Sequence, residues 1–348
     1  MTSVPEIMKG VYLTAHGDTD NLKYLENIPV PKPYPDEVLV KVAAAGVNNT
    51  DINTRIGWYS KKGNSTDDAG WSGKPLSFPR IQGGDVCGKI IEAGKNIDQS
   101  RIGERVILEP CLREFEGQQL DHFWYLGSEC DGGFAEYVKI ASRHAYAIDC
   151  DLTDTELASF PVSYSTAENL LTRANVKAGE TVFITGASGG VGSAAIQLAK
   201  ARNAHVIAVT SPNKRDSVLE VGADKVIDRG KNYLDALGDN SVDVVVDLVA
   251  GDQWPQLLEI LKPEGRYAVS GAIAGPLVEL DVRTLYLKDL TFLGCTKLSP
   301  EVFGNLVAHI ENGDISPLVA QTFPLSQIVQ AQKKFLKKDF TGKLVLTI

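Results

Sequence analysis

Residues 181–192 read TVFITGASGGVG, and this stretch decides how the second half of the chain folds. β-Branched and apolar residues lead into a glycine-rich turn, and the small-residue segment SAAIQLAKAR follows at 193–202. A strand, a glycine turn and a helix in this order let backbone N–H groups approach a pyrophosphate, and the helix N-terminus adds a partial positive charge. The stretch predicts a dinucleotide-binding turn whose cofactor-binding residues are Gly186, Ser188, Gly189, Gly190, Val191 and Gly192.

The sequence around this turn alternates strand and helix patterns. Apolar strand candidates at 205–210, 242–249 and 265–271 are separated by helix-like segments. Continuous apolar strands are typical of a parallel sheet that is buried on both faces. We therefore predict an α/β domain with a doubly wound parallel sheet over residues 155–290.

The first half of the chain has a different pattern of residues, with short strand-like runs and no regular alternation with helices. Short runs rich in β-branched residues alternate with Gly, Pro and Asp clusters, and they lie at 37–47, 89–94, 105–110 and 134–140. This irregular spacing predicts a β-rich, barrel-like domain. The strand-like tail KLVLTI at 343–348 is expected to return to it, which gives a catalytic domain over 1–154 and 291–348. An exposed loop is expected at 61–73.

Length, composition and charge limit the possible functions. The 348 residues correspond to about two domains, and a 43% apolar and 23% charged composition is ordinary globular usage. A net charge of −9 disfavours a nucleic-acid partner. The sequence shows no signal-peptide core and no membrane span. Five cysteines without a CxxC pair predict a reduced, cytoplasmic chain.

The end of the second strand indicates which dinucleotide binds. An NAD enzyme places an acidic residue about 20 residues after the glycine turn, where it bonds the ribose 2′-hydroxyl. Residues 210–215 instead read TSPNKR, and no carboxylate appears before Asp216. Hydroxyl groups and cations accept a 2′-phosphate, so we predict NADPH, bound by Ser211, Asn213, Lys214 and Arg215. The alternative is that the two cations only solvate the start of a helix.

Further motifs occur in a fixed order along the chain. They are AGVNNTD at 45–51, GGDVCG at 83–88, GERV at 103–106, GGFAEY at 132–137, GGVG at 189–192, GAD at 222–224 and GKLVL at 342–346. This set resembles the medium-chain dehydrogenase/reductase superfamily over nearly the whole length. The resemblance implies a GroES-like barrel as the catalytic domain and a Rossmann domain for the cofactor.

The zinc alcohol dehydrogenases of that superfamily hold a catalytic zinc through Cys, His and Glu residues, with a further Cys near the cofactor domain. At the matching positions this chain has Asn48, Gly84, Asp85 and, approximately, Val162. A catalytic zinc needs three protein ligands, so we predict no metal at this site. Cys111, His122 and Cys130 fall where the superfamily carries its structural zinc, and a different metal site there stays open.

The Asn48 and GGD variations are similar to the zinc-independent quinone oxidoreductase-like branch of the superfamily. That branch implies hydride transfer from NADPH to an activated alkene, enone or quinone. Without a metal, hydrogen-bond donors must stabilise the negative charge that develops on the acceptor. The candidates are Asn48, Thr50 and Tyr59, although each also suits a structural role as a turn residue, a helix cap or a packing residue. A long insert at 58–78 would lie beside the substrate pocket and leaves the substrate open.

The resemblance also implies the remaining cofactor contacts. They are Thr166 beside the nicotinamide, Val249, Gly271 and Ala272 in the cofactor groove, Arg229 on the adenosine side and Lys343 at the phosphates. The strand-like segment 289–295 lies where members of the family extend their sheets across a twofold axis, which implies a homodimer.

Two other functions stay open at this point. One is a metal-free carbonyl reductase or alcohol dehydrogenase that uses Thr50 and Tyr59. The other is a cofactor-binding structural or interaction protein of the crystallin-like type.

Overall fold

The computed structural model describes residues 4–61 and 68–348. By their contacts these residues form two compact units. The first unit comprises Met1–Val162, Pro317–Lys338 and Lys343–Ile348, and the second comprises Ser163–Ser316 and Asp339–Gly342. None of the described helices is long and apolar enough to cross a membrane.

The first part of the chain is mainly strands. They are β1 (Ile7–Leu13), β2 (Leu22–Pro29), β3 (Glu37–Val47), β4 (Arg80–Ile81), β5 (Asp85–Ala93), β6 (Arg105–Leu108), β7 (Cys111–Phe115), β8 (Gln118–Tyr125), β9 (Tyr137–Ala141) and β10 (Ala145–Ala147), with helices α1 (Asn49–Ile56) and α2 (Asp154–Leu157).

The middle part alternates helices and strands. Its elements are α3 (Pro161–Arg173), β11 (Thr181–Ile184), α4 (Gly190–Ala201), β12 (His205–Thr210), α5 (Arg215–Val221), β13 (Lys225–Asp228), α6 (Tyr233–Leu237), β14 (Val242–Asp247), α7 (Trp254–Ile260), β15 (Leu261–Val269), α8 (Val282–Leu287), β16 (Thr291–Gly294) and α9 (Val302–Glu311). The chain ends with β17 (Val319–Pro324), α10 (Ile328–Lys337) and β18 (Lys343–Thr347).

The central strand of the first unit is β3. The main sheet has the order β10-β6-β5-β3-β18-β17, and β9 also pairs with β3. Alternate β3 residues Val38, Val40 and Val42 pack into one buried cluster with Val86 and Ile90 of β5, as the period of two in a strand requires. The sequence predicted this β-rich domain, and the structure confirms it.

The C-terminal strand returns to the first unit. β18 lies antiparallel to β3, with Leu346 opposite Ala45 and Leu344 opposite Val47. On its other side β18 pairs in parallel with β17. This pairing brings residue 343 to the end of β3.

The second unit contains the predicted doubly wound sheet. Its strand order is β13-β12-β11-β14-β15-β16, and every neighbouring pair is parallel. Phe183, Val245 and Tyr267 belong to one buried cluster. The strand order reverses between β11 and β14, and ligands of such sheets bind at the carboxyl ends of the strands at this switch point. The glycine turn follows β11 at that point.

The bounds of the two units differ from the predicted domains. Residues 291–316 belong to the second unit, because β16 pairs with β15 and extends the parallel sheet. Residues 155–162 and the tail from 343 belong to the first unit. Part of the loop predicted at 61–73, residues 62–67, lies outside the described residues.

Candidate active site and cofactor cradle

A cluster of polar side chains lies at the end of β3 in the first unit. We call Asn48, Asp51, Asp85 and Lys343 the polar cluster. Asn48 caps the N-terminus of α1, and its backbone N–H donates to Asp51 Oδ2 at 2.7 Å. Asparagine and aspartate suit the two positions because their short side chains satisfy N–H groups that a helix start leaves unpaired. All four members of the cluster are buried.

The Asp85 carboxylate connects three parts of the first unit. Its Oδ2 accepts the Asn48 amide N–H at 2.7 Å and the Lys343 ammonium group at 2.6 Å. Its Oδ1 accepts the backbone N–H of Val162 at 2.6 Å. Both carboxylate oxygens are thus bonded, as a buried charge requires.

The structure places Lys343 in this cluster. The resemblance implied a contact with the cofactor phosphates, but the ammonium group is buried and bonds Asp85 and the Asn48 side-chain oxygen. The reason is the position of β18, which runs antiparallel beside β3 and so brings its first residue to the end of β3. In this arrangement the charge of Lys343 is compensated within the first unit.

The residues at the zinc positions of the superfamily do not fit a catalytic zinc. Asn48 offers an amide, position 84 is a glycine, and the one carboxylate, on Asp85, is already bonded by an ammonium group. Zinc in catalytic sites takes three nitrogen, sulfur or carboxylate ligands from the protein. Among residues 4–61 and 68–348, no group of three or more His, Cys, Asp or Glu residues is placed to hold a metal ion.

The structure does not favour the second metal site, at Cys111, His122 and Cys130, that the sequence left open. Cys111 and Cys130 are buried, whereas His122 is exposed on β8. Burial raises the pKa of Cys130 to about 12, so the thiol stays protonated and is a poor metal ligand, since metals bind the thiolate.

Asp51 is the member of the cluster with a marked shift in pKa. Burial raises the pKa of Asp51 to about 7, and the neighbouring charge of Asp85 adds to the shift. The backbone N–H groups of Asn48 and Gly83 and the charge of Lys343 oppose it. This carboxyl therefore changes its charge close to neutral pH.

Two of the predicted catalytic residues lie together. Tyr59 is hydrogen-bonded to the side chains of Thr50 and Asn53. Burial raises the pKa of Tyr59, these hydrogen bonds oppose the rise, and the charges of Asp51 and Glu129 add to it. The phenol is therefore a neutral donor at ordinary pH. It lies near enough to the polar cluster for the charge of Asp51 to act on it.

Sequence reasoning missed Tyr125, at the end of β8. Its ring lies against Gly84, where an added Cβ would come within 2.9 Å of the ring and 3.1 Å of the hydroxyl oxygen. The hydroxyl is shielded from solvent and has no hydrogen-bond partner among the described residues. An unpaired buried polar group costs about 1–3 kcal/mol. No local sequence signal marks this tyrosine, because its neighbours come from distant parts of the chain.

In the second unit, the glycine turn fits a dinucleotide. Helix α4 begins at Gly190, and the N–H of Gly189 donates to the carbonyl oxygen of Gly186 at 3.0 Å to close the turn. A Cβ on Gly192 would lie 2.4 Å from that oxygen and 2.6 Å from Cα of Ala187. Only glycine lets the helix start so close to the turn. The first N–H groups of a helix have no partner within it, and they suit a pyrophosphate.

The adenosine end of the cradle has two neighbouring cations. Burial and the positive charge of Arg229 lower the pKa of Lys214, and the negative charge of Asp339 opposes this shift. The two cations therefore repel each other, and an anion between them would relieve the repulsion. Arg215 instead pairs with Asp228 at 3.2 Å. The buried hydroxyl of Thr210, at the end of β12, has no hydrogen-bond partner within the described ranges.

The groove residues Val249, Gly271 and Ala272 come together at the ends of β14 and β15. Backbone hydrogen bonds of 3.2 and 2.9 Å join residues 270 and 274 to the carbonyl oxygens of Asp247 and Val249. The other predicted contacts are Ser188 in the turn, Val191 in the first turn of α4, Ser211 and Asn213 after β12, and Thr166 on α3, all half-buried except the exposed Asn213. Their cofactor contacts stay predictions.

Asp247 shapes this groove and was not predicted from the sequence. Its Oδ1 accepts the Thr185 hydroxyl at 2.6 Å and the Val249 N–H at 2.9 Å, and its Oδ2 accepts the Tyr267 hydroxyl at 2.6 Å. Ala250 has a φ of +53°, which is unfavourable for a residue with a Cβ, and its N–H is held by the same carboxylate at 3.1 Å. The signal in the sequence was an aspartate within the apolar run 242–249.

Comparison with known proteins agrees with both halves of this description. Residues 34–149 match the alcohol dehydrogenase GroES-like domain, and residues 190–312 match the zinc-binding dehydrogenase domain. A solved structure from Sinorhizobium meliloti 1021, provisionally described as an alcohol dehydrogenase, is 45% identical, has a TM-score of 0.92 and covers 100% of this chain and 98% of its own. The chain belongs to the medium-chain dehydrogenase/reductase superfamily.

Within the superfamily the chain is quinone oxidoreductase-like. The quinone oxidoreductase of Homo sapiens is 29% identical over 362 residues, with 100% of both chains covered. The acryloyl-coenzyme A reductase of Metallosphaera sedula is 28% identical over 350 residues and covers 98% of this chain and 100% of its own. The protein is therefore an oxidoreductase, and a nicotinamide cofactor agrees with the fit of its glycine turn.

The pKa of Asp51 makes a prediction about stability. A carboxyl in the unfolded chain has a pKa of about 3.9, so between this value and about 7 the folded protein binds more protons than the unfolded chain. The stabilising contribution of this group is complete below about pH 3.9, and it is lost progressively as the pH rises from there to about 7. Asp51→Asn should therefore raise the melting temperature relative to wild type more at pH 8 than at pH 5. A difference between the two proteins that does not change with pH would contradict this assignment.

Proposed function

We propose that this oxidoreductase uses NADPH to reduce an activated alkene, enone or quinone without a metal. The observation that carries the proposal is the polar cluster, whose residues at the zinc positions are bonded to one another. Hydrogen-bond donors and the conjugation of the acceptor must then replace a Lewis acid. The names of the relatives, quinone oxidoreductase and acryloyl-coenzyme A reductase, support acceptors of this kind.

The reaction divides between cofactor and protein. When bound, NADPH would supply a hydride, that is two electrons and a proton, for the β-carbon of the acceptor, and a proton from solvent would complete the saturated product. The contribution of the chain is to hold the acceptor and to stabilise the negative charge on its oxygen. Thr50 and Tyr59 are the proposed donors, while Asn48, whose amide is bonded to Asp85, positions the start of α1.

A test with paired acceptors separates this function from its alternatives. We expect the protein to oxidise NADPH with cyclohexenone, forming cyclohexanone, and to leave cyclohexanone unchanged. Turnover of the saturated ketone alone would instead identify a carbonyl reductase or alcohol dehydrogenase, the function favoured by the description of the Sinorhizobium meliloti relative. No NADPH oxidation with cyclohexenone, with a panel of quinones or with the ketone would indicate a cofactor-binding structural protein.

The preference for NADPH over NADH rests on Lys214 and Arg229, with Ser211, Asn213 and Arg215 beside them. The charge of Arg215 is partly compensated by Asp228. A hydrogen bond to a charged group contributes about 1.5–3 kcal/mol, and each 1.4 kcal/mol is a tenfold change in affinity.

We expect Lys214→Ala to raise the KM for NADPH by about 10- to 100-fold and to leave the KM for NADH nearly unchanged. Initial rates with both cofactors measure this difference. The matched control is Lys177→Ala, which removes an exposed lysine of the same unit. An equal loss for the two cofactors would refute the 2′-phosphate contact.

We also propose a homodimer. β16 lies at the edge of the parallel sheet, and apolar side chains on it and in the segment that precedes it along the chain are exposed: Ile273, Leu277, Val282, Tyr286, Leu287 and Phe292. An apolar patch at a sheet edge is a typical surface for a second copy.

Light scattering should give twice the chain mass of 37.6 kDa, and Leu287→Glu should give the single-chain mass. A monomeric wild type would contradict the proposal.

The five free cysteines support a reducing, cytoplasmic compartment as the place of action.

A further inference from the structure

The hydroxyl of Tyr125 is unpaired and lies outside the set of donors proposed above. The residue is 6% exposed, and its hydroxyl oxygen is shielded from solvent and lacks a hydrogen-bond partner among residues 4–61 and 68–348. Native proteins pair nearly all of their buried polar groups, so an unpaired one calls for a physical reason. A donor that is kept free for a ligand is such a reason.

The ring of Tyr125 is held firmly in place. Trp71 packs on it with ring centroids 5.3 Å apart. The loop that carries Trp71 is fastened to the turn after β8, because Trp71 N–H donates to Ser128 Oγ at 3.3 Å and Ser72 N–H donates to Glu129 Oε1 at 2.8 Å. Glu129 Oε2 in turn accepts the backbone N–H of Tyr125 at 2.9 Å. These contacts hold the hydroxyl oxygen in one position, from which its O–H can turn toward a ligand.

The surroundings of the hydroxyl connect it to the polar cluster. Cys111, Asp85, Asp51 and Tyr59 are near enough to the phenol to add to the rise of its pKa. Burial, the largest cause, raises its pKa well above the usual value, so the group keeps its proton at any working pH. It also stands 3.1 Å from the point where a side chain at position 84 would begin. The phenol thus occupies space that the glycine at this position leaves open.

We propose that Tyr125 donates a hydrogen bond to the carbonyl oxygen of the acceptor and is a catalytic residue of this reductase. The inference rests on the proposed function, and it adds a donor to Thr50 and Tyr59. A hydrogen bond in a water-free environment is stronger than one in water. Donation to the oxygen that becomes negative during hydride transfer lowers the barrier of that step.

The first test compares Tyr125→Phe with wild type in NADPH-dependent reduction of cyclohexenone. The substitution keeps the ring and removes only the unpaired hydroxyl. We expect kcat/KM to fall by about 100-fold, the KM for NADPH to stay unchanged, and the melting temperature to stay equal or to rise. Tyr137→Phe, on β9 and outside the polar cluster, is the matched control and should behave as wild type.

Two results would overturn the assignment. One is full activity of Tyr125→Phe. The other is a fall in melting temperature that accompanies the fall in activity, because the hydroxyl would then have a structural partner.

A second test does not depend on turnover, so it distinguishes failure of this inference from failure of the proposed function. Cyclohexanone with a carbon-13 label at the carbonyl is bound to the protein in the presence of NADP⁺. We expect its carbonyl resonance to move downfield on wild type, as hydrogen bonding to the oxygen requires, and to move much less on Tyr125→Phe. Equal shifts on both proteins, or no shift on either, would reject Tyr125 as the donor, whatever the outcome with cyclohexenone.

Gly84→Ala provides an independent variant. Its Cβ would meet the ring of Tyr125 at 2.9 Å and must displace it. The loss of activity should therefore not add to that of Tyr125→Phe in the double variant, since both changes remove the same donor. Fully additive losses would contradict a shared cause.

Discussion

The buried pair of Asp85 and Lys343 is the interaction on which the first unit depends. The side chains are 0% and 3% exposed and lie 2.6 Å apart, and removing one partner of such a pair costs about 3–5 kcal/mol because the other charge is left uncompensated. The pair joins the first residue of β5 to the first residue of β18. Through the Asn48 amide it also fixes the start of α1, and with it the neighbourhood of Thr50 and Tyr59. The same bonds occupy the oxygen atoms of Asp85 and Asn48 to which a metal would bind.

The second unit has a comparable anchor in Asp247. This carboxylate accepts hydrogen bonds from the hydroxyl groups of Thr185, directly after β11, and of Tyr267 on β15. It also holds the turn after β14, where Ala250 adopts an unfavourable backbone angle. Such local strain persists only where surrounding bonds determine the conformation, and it is common at ligand sites. The turn lies at the carboxyl end of the parallel sheet, the edge at which ligands of doubly wound folds bind. The two carboxylates thus play similar parts, because each is buried, fully bonded and surrounded by predicted functional residues.

Features with a local signal could be predicted from the sequence. The glycine turn at 186–192 was recognisable because its strand, turn and helix are consecutive, and the apolar runs of the parallel strands stand out for the same reason. The return of the tail to the first unit followed from a strand pattern alone. The place of Lys343 did not, because it depends on the register of β18 against a strand about 300 residues earlier. The contact of Tyr125 with Gly84 likewise depends on segments that are distant in the sequence. The pairing of Arg215 with Asp228 joins α5 to the strand that follows it, and it depends on how that helix packs on β13.

The most direct test of a site built on an ammonium–carboxylate pair is the zinc content of the active protein. The purified chain is dialysed against a strong chelator, its zinc is measured by elemental mass spectrometry, and NADPH-dependent reduction is assayed on the same sample. We predict far less than one zinc per chain with undiminished activity. One firmly bound zinc per chain, whose removal abolishes activity, would contradict the assignment of Asp85 and Lys343 to each other.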